Sequence, residues 1–132
     1  DPYVSEFAKI YAKYNKGVSF DNIVLQGMNS AMLTVQALRA AGKNLTRAGV
    51  MKAIENKGAS FASAGLVPLN YSATSRVGYN GYWFGQLNEK GELKPYGGKL
   101  AIFTTDSSST EVPTASTYVR KSIPKNGVPT NS

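Results

Sequence analysis

The stretch from Asp21 to Gly42 reads DNIVLQGMNSAMLTVQALRAAG, and apolar residues recur through it at helical spacing. The stripe repeats every three or four residues, which is typical of an amphipathic helix, and its members are Leu25, Met28, Met32, Val35 and Leu38. Asp21 can cap the start of this helix and Gly42 can end it. Small residues between the stripe positions allow a neighbour to approach closely. The stretch therefore predicts a long central helix that is packed on more than one side.

A shorter helix is predicted before it. Pro2 suits a first helical turn, and Asp1 can accept hydrogen bonds from the free backbone N–H groups at its start. Apolar residues again repeat at spacings of three and four, at Val4, Phe7, Tyr11 and Tyr14. The helix should end between Asn15 and Gly17, where glycine can adopt the left-handed conformation of a cap.

A third helix is predicted after the central one. Thr46 can serve as its N-cap, and Leu45 with Val50 has the spacing of a hydrophobic staple. Val50, Met51 and Ile54 should face inward, and the helix should end at Gly58. The predicted helices thus occupy residues 2–57.

After Gly58 the hydrophobic pattern changes from helical to extended, and strands are predicted within residues 66–104. LVPLNY should be a short extended segment at a sheet edge or an interruption, because Pro68 cannot donate a backbone hydrogen bond. YWFGQL has β-favouring residues with apolar groups on both faces, so we expect a strand covered on both sides. NEKG predicts a hairpin turn with positive φ at Gly91. ELKPY and KLAIFTT should be the following strands, and the segments named here are residues 66–71, 82–87, 88–91, 92–96 and 99–105.

The chain divides by composition into two parts. Residues 1–105 have the patterns of an α/β domain, in which three helices are followed by a β-hairpin and short strands. Residues 106–132 are rich in serine, threonine, proline and asparagine, which predicts a polar C-terminal tail that serves as a linker or is disordered. A chain of 132 residues allows one core rather than two.

The absence of cysteine and histidine excludes several classes of chemistry. Thiolate metal sites, cysteine nucleophiles, serine–histidine triads and the usual zinc ligand all require one of these residues. Glu89 and Glu92 are the only close carboxylate pair, and they flank a predicted exposed turn. We therefore expect no enzyme, no cofactor and no metal. No run approaches the roughly 20 apolar residues that span a bilayer.

The net charge of +7 is compatible with an anionic partner, but nucleic-acid binding requires the charge to cluster on one face. The basic residues of the helical region are instead dispersed, at Lys9, Lys13, Lys16, Arg39, Lys43, Arg47, Lys52 and Lys57. A solvated helix surface is the favoured interpretation, so no nucleic-acid partner is expected. A basic module that binds nucleic acid or an acidic partner is the alternative.

An aromatic platform for carbohydrate is a further alternative, because Tyr79, Tyr82, Trp83 and Phe84 lie close together in sequence. Adjacent residues of a strand point to opposite faces, so Trp83 cannot share a platform with Tyr82 and Phe84. The pattern favours inter-element packing for these rings. A carbohydrate-binding module that uses Tyr79, Tyr82 and Trp83 stays open as an alternative.

The order of these elements resembles the C-terminal part of the periplasmic-binding-protein family that serves branched-chain amino acid ABC transporters, the two-lobed type I receptors. Three stretches carry the resemblance: PYVSEFAKIYAKYN at 2–15, LQGMNSAMLTVQALRAAGKNLTRAGVMKAIEN at 25–56, and GLVPLNYSATSRVGYNGYWFGQLNEKGELKP at 65–95. The resemblance implies that the chain is a portion of a two-lobed fold whose remaining lobe lies elsewhere in the same protein. It also implies an extracytoplasmic protein, periplasmic or a cell-surface lipoprotein, that binds an amino acid or related solute between its lobes and delivers it to an ABC permease in the membrane.

The same resemblance implies a ligand site at the start of the central helix. Family members often carry Gly-Tyr-Asp-Ala there, and this chain has GMNS at 27–30. Met28 stands in the place of the aromatic residue and Asn29 in the place of the carboxylate, so the chain departs from the family pattern at both positions. The candidate ligand-binding residues are Leu25, Gln26, Met28 and Asn29.

Overall fold

A computed structural model describes residues 1–43, 45–105, 114–116 and 118 of the chain. The helices are α1 (Pro2–Tyr14), α2 (Asn22–Ala41) and α3 (Arg47–Lys57), and a 3-10 turn follows at Gly58–Ser60. Short antiparallel strands come after them. This arrangement confirms the mixed α/β class. Most of the predicted polar tail lies outside the described residues.

The helices begin where local side-chain chemistry predicts. The Asp1 carboxylate accepts from the Tyr3 backbone N–H at 2.9 Å, and the Asp21 carboxylate accepts from that of Val24 at 2.8 Å. The Thr46 hydroxyl accepts from the Gly49 N–H at 3.0 Å. Each bond satisfies an N–H group that has no partner within its own helix. The three predicted N-caps are confirmed.

Helix α2 lies between two small cores. On one side it packs with α1, where Tyr3, Phe7 and Met32 are buried. On the other side it packs with α3 and with the segment that follows α3, where Ala37, Phe61 and Leu69 are buried. The prediction that the central helix is packed on more than one side is therefore confirmed.

The buried face of α2 keeps only part of the predicted apolar stripe, because Met32 is buried and Leu25 and Met28 pack against the same core. Asn29 and Gln36 are 5% and 0% exposed, although both are polar. Five residues that were predicted to pack inward or to staple a helix start are exposed instead, namely Tyr14, Val35, Leu38, Leu45 and Met51. The buried face of α2 is rotated because the segment after α3 packs on it and needs polar partners for its backbone. On α3 the small residues Gly49 and Ala53 are buried, which brings the two helices close together.

The segment 66–71 buries alternate residues without joining a sheet. Val67 and Leu69 are buried while Pro68 between them is exposed. The Asn70 N–H donates to the Gly78 carbonyl at 2.9 Å, so the segment contacts the loop that returns beside it. The alternate burial fits the predicted extended segment, but the chain bends at Leu66 and Val67 and the first strand begins at Gly81 rather than at residue 66.

The predicted strand 82–87 is divided between two sheets. Its first part belongs to β1 (Gly81–Tyr82), and its last part is β2 (Gly85–Leu87). β2 pairs with β3 (Leu93–Pro95) in a hairpin whose turn has a φ of +74° at Gly91, as predicted. All three residues of β2 are exposed, so the expectation of a strand covered on both sides is wrong.

The other sheet has the order β1-β4-β5, where β4 is Phe103–Thr104 and β5 is Thr114–Ala115. Both pairings are antiparallel. The rings of Tyr82, Phe84 and Phe103 contact one another, with centroid separations of 5.3 to 6.3 Å. The prediction that Tyr82 and Phe84 share a face is confirmed. β5 falls within the predicted tail, so at these two residues the tail forms a strand.

Candidate functional site

The Asn29 side chain joins three parts of the fold. Its amide nitrogen donates to the Tyr79 hydroxyl oxygen at 2.7 Å and to the Ser63 hydroxyl at 3.2 Å, and its amide oxygen accepts from the Ala64 N–H at 2.7 Å. Both donor hydrogens and the carbonyl oxygen are therefore used. A buried amide whose two donors and carbonyl oxygen each have a partner costs little to bury and holds its neighbours in a defined geometry. Asn29 fixes Tyr79 against α2 across 50 positions of sequence.

A second buried amide, Gln36, lies two helical turns further along α2. Its amide nitrogen donates to the Ala62 carbonyl at 2.8 Å, and its amide oxygen accepts from the Ala62 N–H at 2.8 Å. This pair of bonds replaces the partners that a strand or helix would give to Ala62. Gln36 and Asn29 together hold residues 62–64 on the helix.

A cavity of about 200 Å³ opens beside Asn29. Its lining includes three of the four residues predicted from the resemblance, and comprises Asn22, Leu25, Gln26, Asn29, Ala64, Gly65 and Tyr79. The fourth, Met28, lies outside the lining and packs against the core formed by Tyr3, Phe7 and Met32. The structure thus brings Leu25, Gln26 and Asn29 together with Tyr79, and it places Met28 elsewhere.

The lining of this cavity is mostly apolar surface with a few polar groups, and among the described residues no charged side chain contributes to it. Amide groups come from Asn22 and Gln26, a phenol from Tyr79, and an apolar surface from Leu25. Such a wall can exchange hydrogen bonds with a polar solute and pack against its hydrocarbon part. It cannot neutralise an ammonium or carboxylate group of a ligand.

Tyr79 was not recognised from the sequence as part of this site. The sequence places it in the aromatic region around Trp83, and its partner Asn29 is 50 residues away. The three rings of the predicted carbohydrate platform have different neighbours. Tyr79 bonds Asn29, Tyr82 contacts Phe84 and Phe103, and the Trp83 ring lies over Gly85. No local pattern signals the Asn29–Tyr79 contact.

Tyr79 also lines a second, larger cavity of about 550 Å³. This cavity lies between α2, α3 and the segment 71–79, and we call it the α2–α3 groove. Its apolar lining includes Leu33, Ala37, Leu38, Val50, Met51, Ile54 and Phe61. Arg76 and Glu55 form an ion pair of 2.5 Å that joins the segment 71–79 to α3. The sequence did not predict this groove.

The remaining candidates of the sequence do not converge on a site. Glu92 in the hairpin turn pairs with Lys94 at 3.2 Å and accepts from the Asn88 amide at 2.9 Å, and it is exposed, as is Glu89. The basic residues of the helical region are all exposed, as expected of a solvated helix surface. Among the described residues, no three potential metal ligands lie together. In that same part of the chain, no helix has both the length and the apolar character needed to cross a bilayer.

Comparison with known proteins returns no family model, no curated protein and no solved structure that matches this chain.

Proposed function

We propose that the chain is part of the substrate-binding component of an ABC importer, built on the two-lobed type I periplasmic-binding-protein fold. In this role it binds a branched-chain amino acid or a similar small polar solute and delivers it to a membrane permease. The observation that supports the proposal is the position of Leu25, Gln26 and Asn29 at one cavity with Tyr79. The family resemblance implies a ligand site at these same three residues.

The cavity fits the role of one wall of a cleft. Its volume of about 200 Å³ is below the roughly 300–1,000 Å³ of pockets that enclose a drug-sized ligand. A second lobe that closes over the opening would complete the enclosure, as in hinge closure of two-domain receptors. Because the lining is uncharged, we expect this wall to contact the side chain or an uncharged polar group of the solute. The charged ends of a zwitterion would be bound by the other lobe.

The hydrogen bonds of Asn29 support a preorganised wall. Because both donors of its amide are used, Asn29 acts here by positioning Tyr79 and the backbone at Ala64 rather than by binding the solute directly. Gln26 is exposed at the cavity and is the side chain best placed to exchange hydrogen bonds with a ligand. Preorganisation lowers the entropic cost of ordering the site when the ligand binds.

A thermal-shift screen of the natural protein against branched-chain amino acids, small amides and aromatic acids tests the proposal. A ligand at about 100 times its Kd should add about 2.7 kcal/mol to the free energy of unfolding. Gln26→Trp should fill the cavity and remove the shift, whereas the matched change Gln86→Trp on exposed β2 should leave it intact. A panel with no shift from a cooperatively melting protein would contradict the proposal. Steep loss of nucleic-acid binding with salt would then favour the basic-module alternative.

A further inference from the structure

The α2–α3 groove has the dimensions of a ligand site. Its volume of about 550 Å³ lies within the roughly 300–1,000 Å³ typical of small-molecule pockets, and apolar side chains dominate its lining. Leu33, Val50 and Ile54 are half-buried within it and Phe61 is buried. The groove is therefore an apolar channel between two helices and the segment 71–79.

The apolar surface continues to the mouth of the groove. Leu38 of α2 and Met51 of α3 both line it and are 46% and 40% exposed. No described residue covers these side chains enough to bury them. A hydrocarbon that enters between the helices would bury its own apolar surface and the apolar side chains of both α2 and α3.

One wall of the groove carries a cation that is open to solvent. The Arg76 side chain is 61% exposed, and its ion-pair partner Glu55 is 26% exposed. A guanidinium has five N–H donors in a fork, so a single carboxylate does not saturate it. Ser72 and Ser75 line the same wall, and the Ser72 hydroxyl accepts from the Thr74 and Ser75 N–H groups. This end of the groove suits an anionic oxygen group, and the chain's net charge of +7 favours an anion as well.

We propose that the α2–α3 groove binds a medium-chain monocarboxylate, with its alkyl chain between the helices and its carboxylate at Arg76. The apolar lining selects a hydrocarbon body, and Arg76, the one cationic side chain among the described residues that line the groove, selects one negative charge. A compact anion such as phosphate would leave the apolar channel unfilled. This site is separate from the cavity beside Asn29, although Tyr79 contributes to the wall of both.

Chain length gives the first quantitative test. Burial of one methylene group contributes about 0.8 kcal/mol, which corresponds to about a fourfold change in Kd. Decanoate should therefore bind the natural protein about 15-fold more tightly than octanoate, as measured by isothermal titration calorimetry below the micelle concentration. Equal affinities for the two acids would show that the alkyl chain does not enter the groove, and would overturn the proposal.

Two charge variants should act in opposite directions. Arg76→Gln should weaken decanoate binding about two- to fivefold, the usual range for an exposed ion pair. Glu55→Gln should strengthen it by a similar factor, because it removes the carboxylate that competes for Arg76. Neither variant should change the affinity for decanol, which has no charge. Equal effects on decanol and decanoate would overturn the assignment of the carboxylate to Arg76.

A blocking variant with a matched control tests the location. Thr34 is exposed and lines the groove, so Thr34→Phe should fill it and abolish binding of both decanoate and decanol. Ala31 is exposed on the same helix but does not line the groove, so Ala31→Phe should leave binding unchanged. Gln26→Trp should also leave it unchanged, which separates this site from the proposed solute site. Loss of binding in Ala31→Phe, or no binding of decanoate by the folded natural protein, would overturn the proposal.

Discussion

Replacement of Gln36 should destabilise the fold more than any exposed substitution, because this amide is fully buried and bonds the backbone of Ala62 twice at 2.8 Å. In Gln36→Leu both of these bonds are lost. The N–H and C=O of Ala62 then lose their partners at a cost of about 1–3 kcal/mol for each group, reduced where water can reach the half-buried Ala62. We expect a loss of about 3 kcal/mol in the free energy of unfolding, and a Tm lower by about 10 °C.

Urea unfolding followed by circular dichroism at the helix band measures this loss as a lower midpoint with an unchanged slope. Gln86→Leu, on exposed β2, is the matched control and should change the free energy of unfolding by less than about 0.5 kcal/mol. A loss below about 1 kcal/mol in Gln36→Leu would refute the reasoning, because it would mean that Ala62 finds other partners at no cost.

Gln36→Glu extends the test to pH. A protonated carboxyl can both donate to and accept from Ala62, whereas a carboxylate cannot donate. Burial should raise the pKa of the introduced carboxyl in the folded state above its unfolded value of about 4.3. The folded state then holds the proton more strongly, so stability should be full below about pH 4.3 and should fall as the pH rises toward the folded pKa. A stability difference from the natural protein that is the same at pH 4 and pH 7 would contradict this account.

Three further substitutions can be checked by the same urea titration. Gly27→Ala should add about 0.5–1 kcal/mol, because the added methyl group meets no atom within 4 Å in the interior of α2, and a loss would contradict the helix geometry. Gly58→Ala should cost about 1–3 kcal/mol, because its methyl carbon would lie 2.8 Å from the Cβ atom of Tyr71, and a neutral result would show that Tyr71 moves freely. Asp21→Ala should cost about 1 kcal/mol through the lost N-cap, whereas Asp21→Asn should retain most of the stability. Equal losses in the two Asp21 variants would point to the charge rather than the hydrogen bond.

The two cavities meet at Tyr79, whose hydroxyl is held by Asn29 and whose ring borders both the small cavity and the α2–α3 groove. The sequence predicts Asn29 as a ligand contact and places Tyr79 among the aromatic residues near Trp83. It does not predict that the two side chains contact each other. The predicted set Leu25, Gln26 and Asn29 follows helical spacing, so their proximity is a local property of α2. Their assembly with Tyr79 depends on how the segment after α3 packs back on the helix.

In the strands too, local features were predictable from sequence and long-range pairings were not. Gly91 and the hairpin β2–β3 were predictable, because a tight turn with positive φ and its two flanking strands are adjacent in sequence. The division of residues 82–87 between two sheets was not predictable. It depends on β4, about twenty residues downstream, which pairs with β1 and leaves β2 to pair with β3.

The start of each helix follows from local sequence, because an N-cap requires only a side-chain oxygen and N–H groups two or three residues away. Asp1, Asp21 and Thr46 meet this condition without help from the rest of the chain. Which face of α2 is buried depends instead on long-range packing. Apolar spacing favoured a face that includes Val35, but the backbone of residues 62–64 needs hydrogen-bond partners, and Asn29 and Gln36 supply them on a rotated face. Burial of a polar backbone segment therefore outweighed the hydrophobic stripe, and that balance depends on contacts between residues about 26 to 50 positions apart.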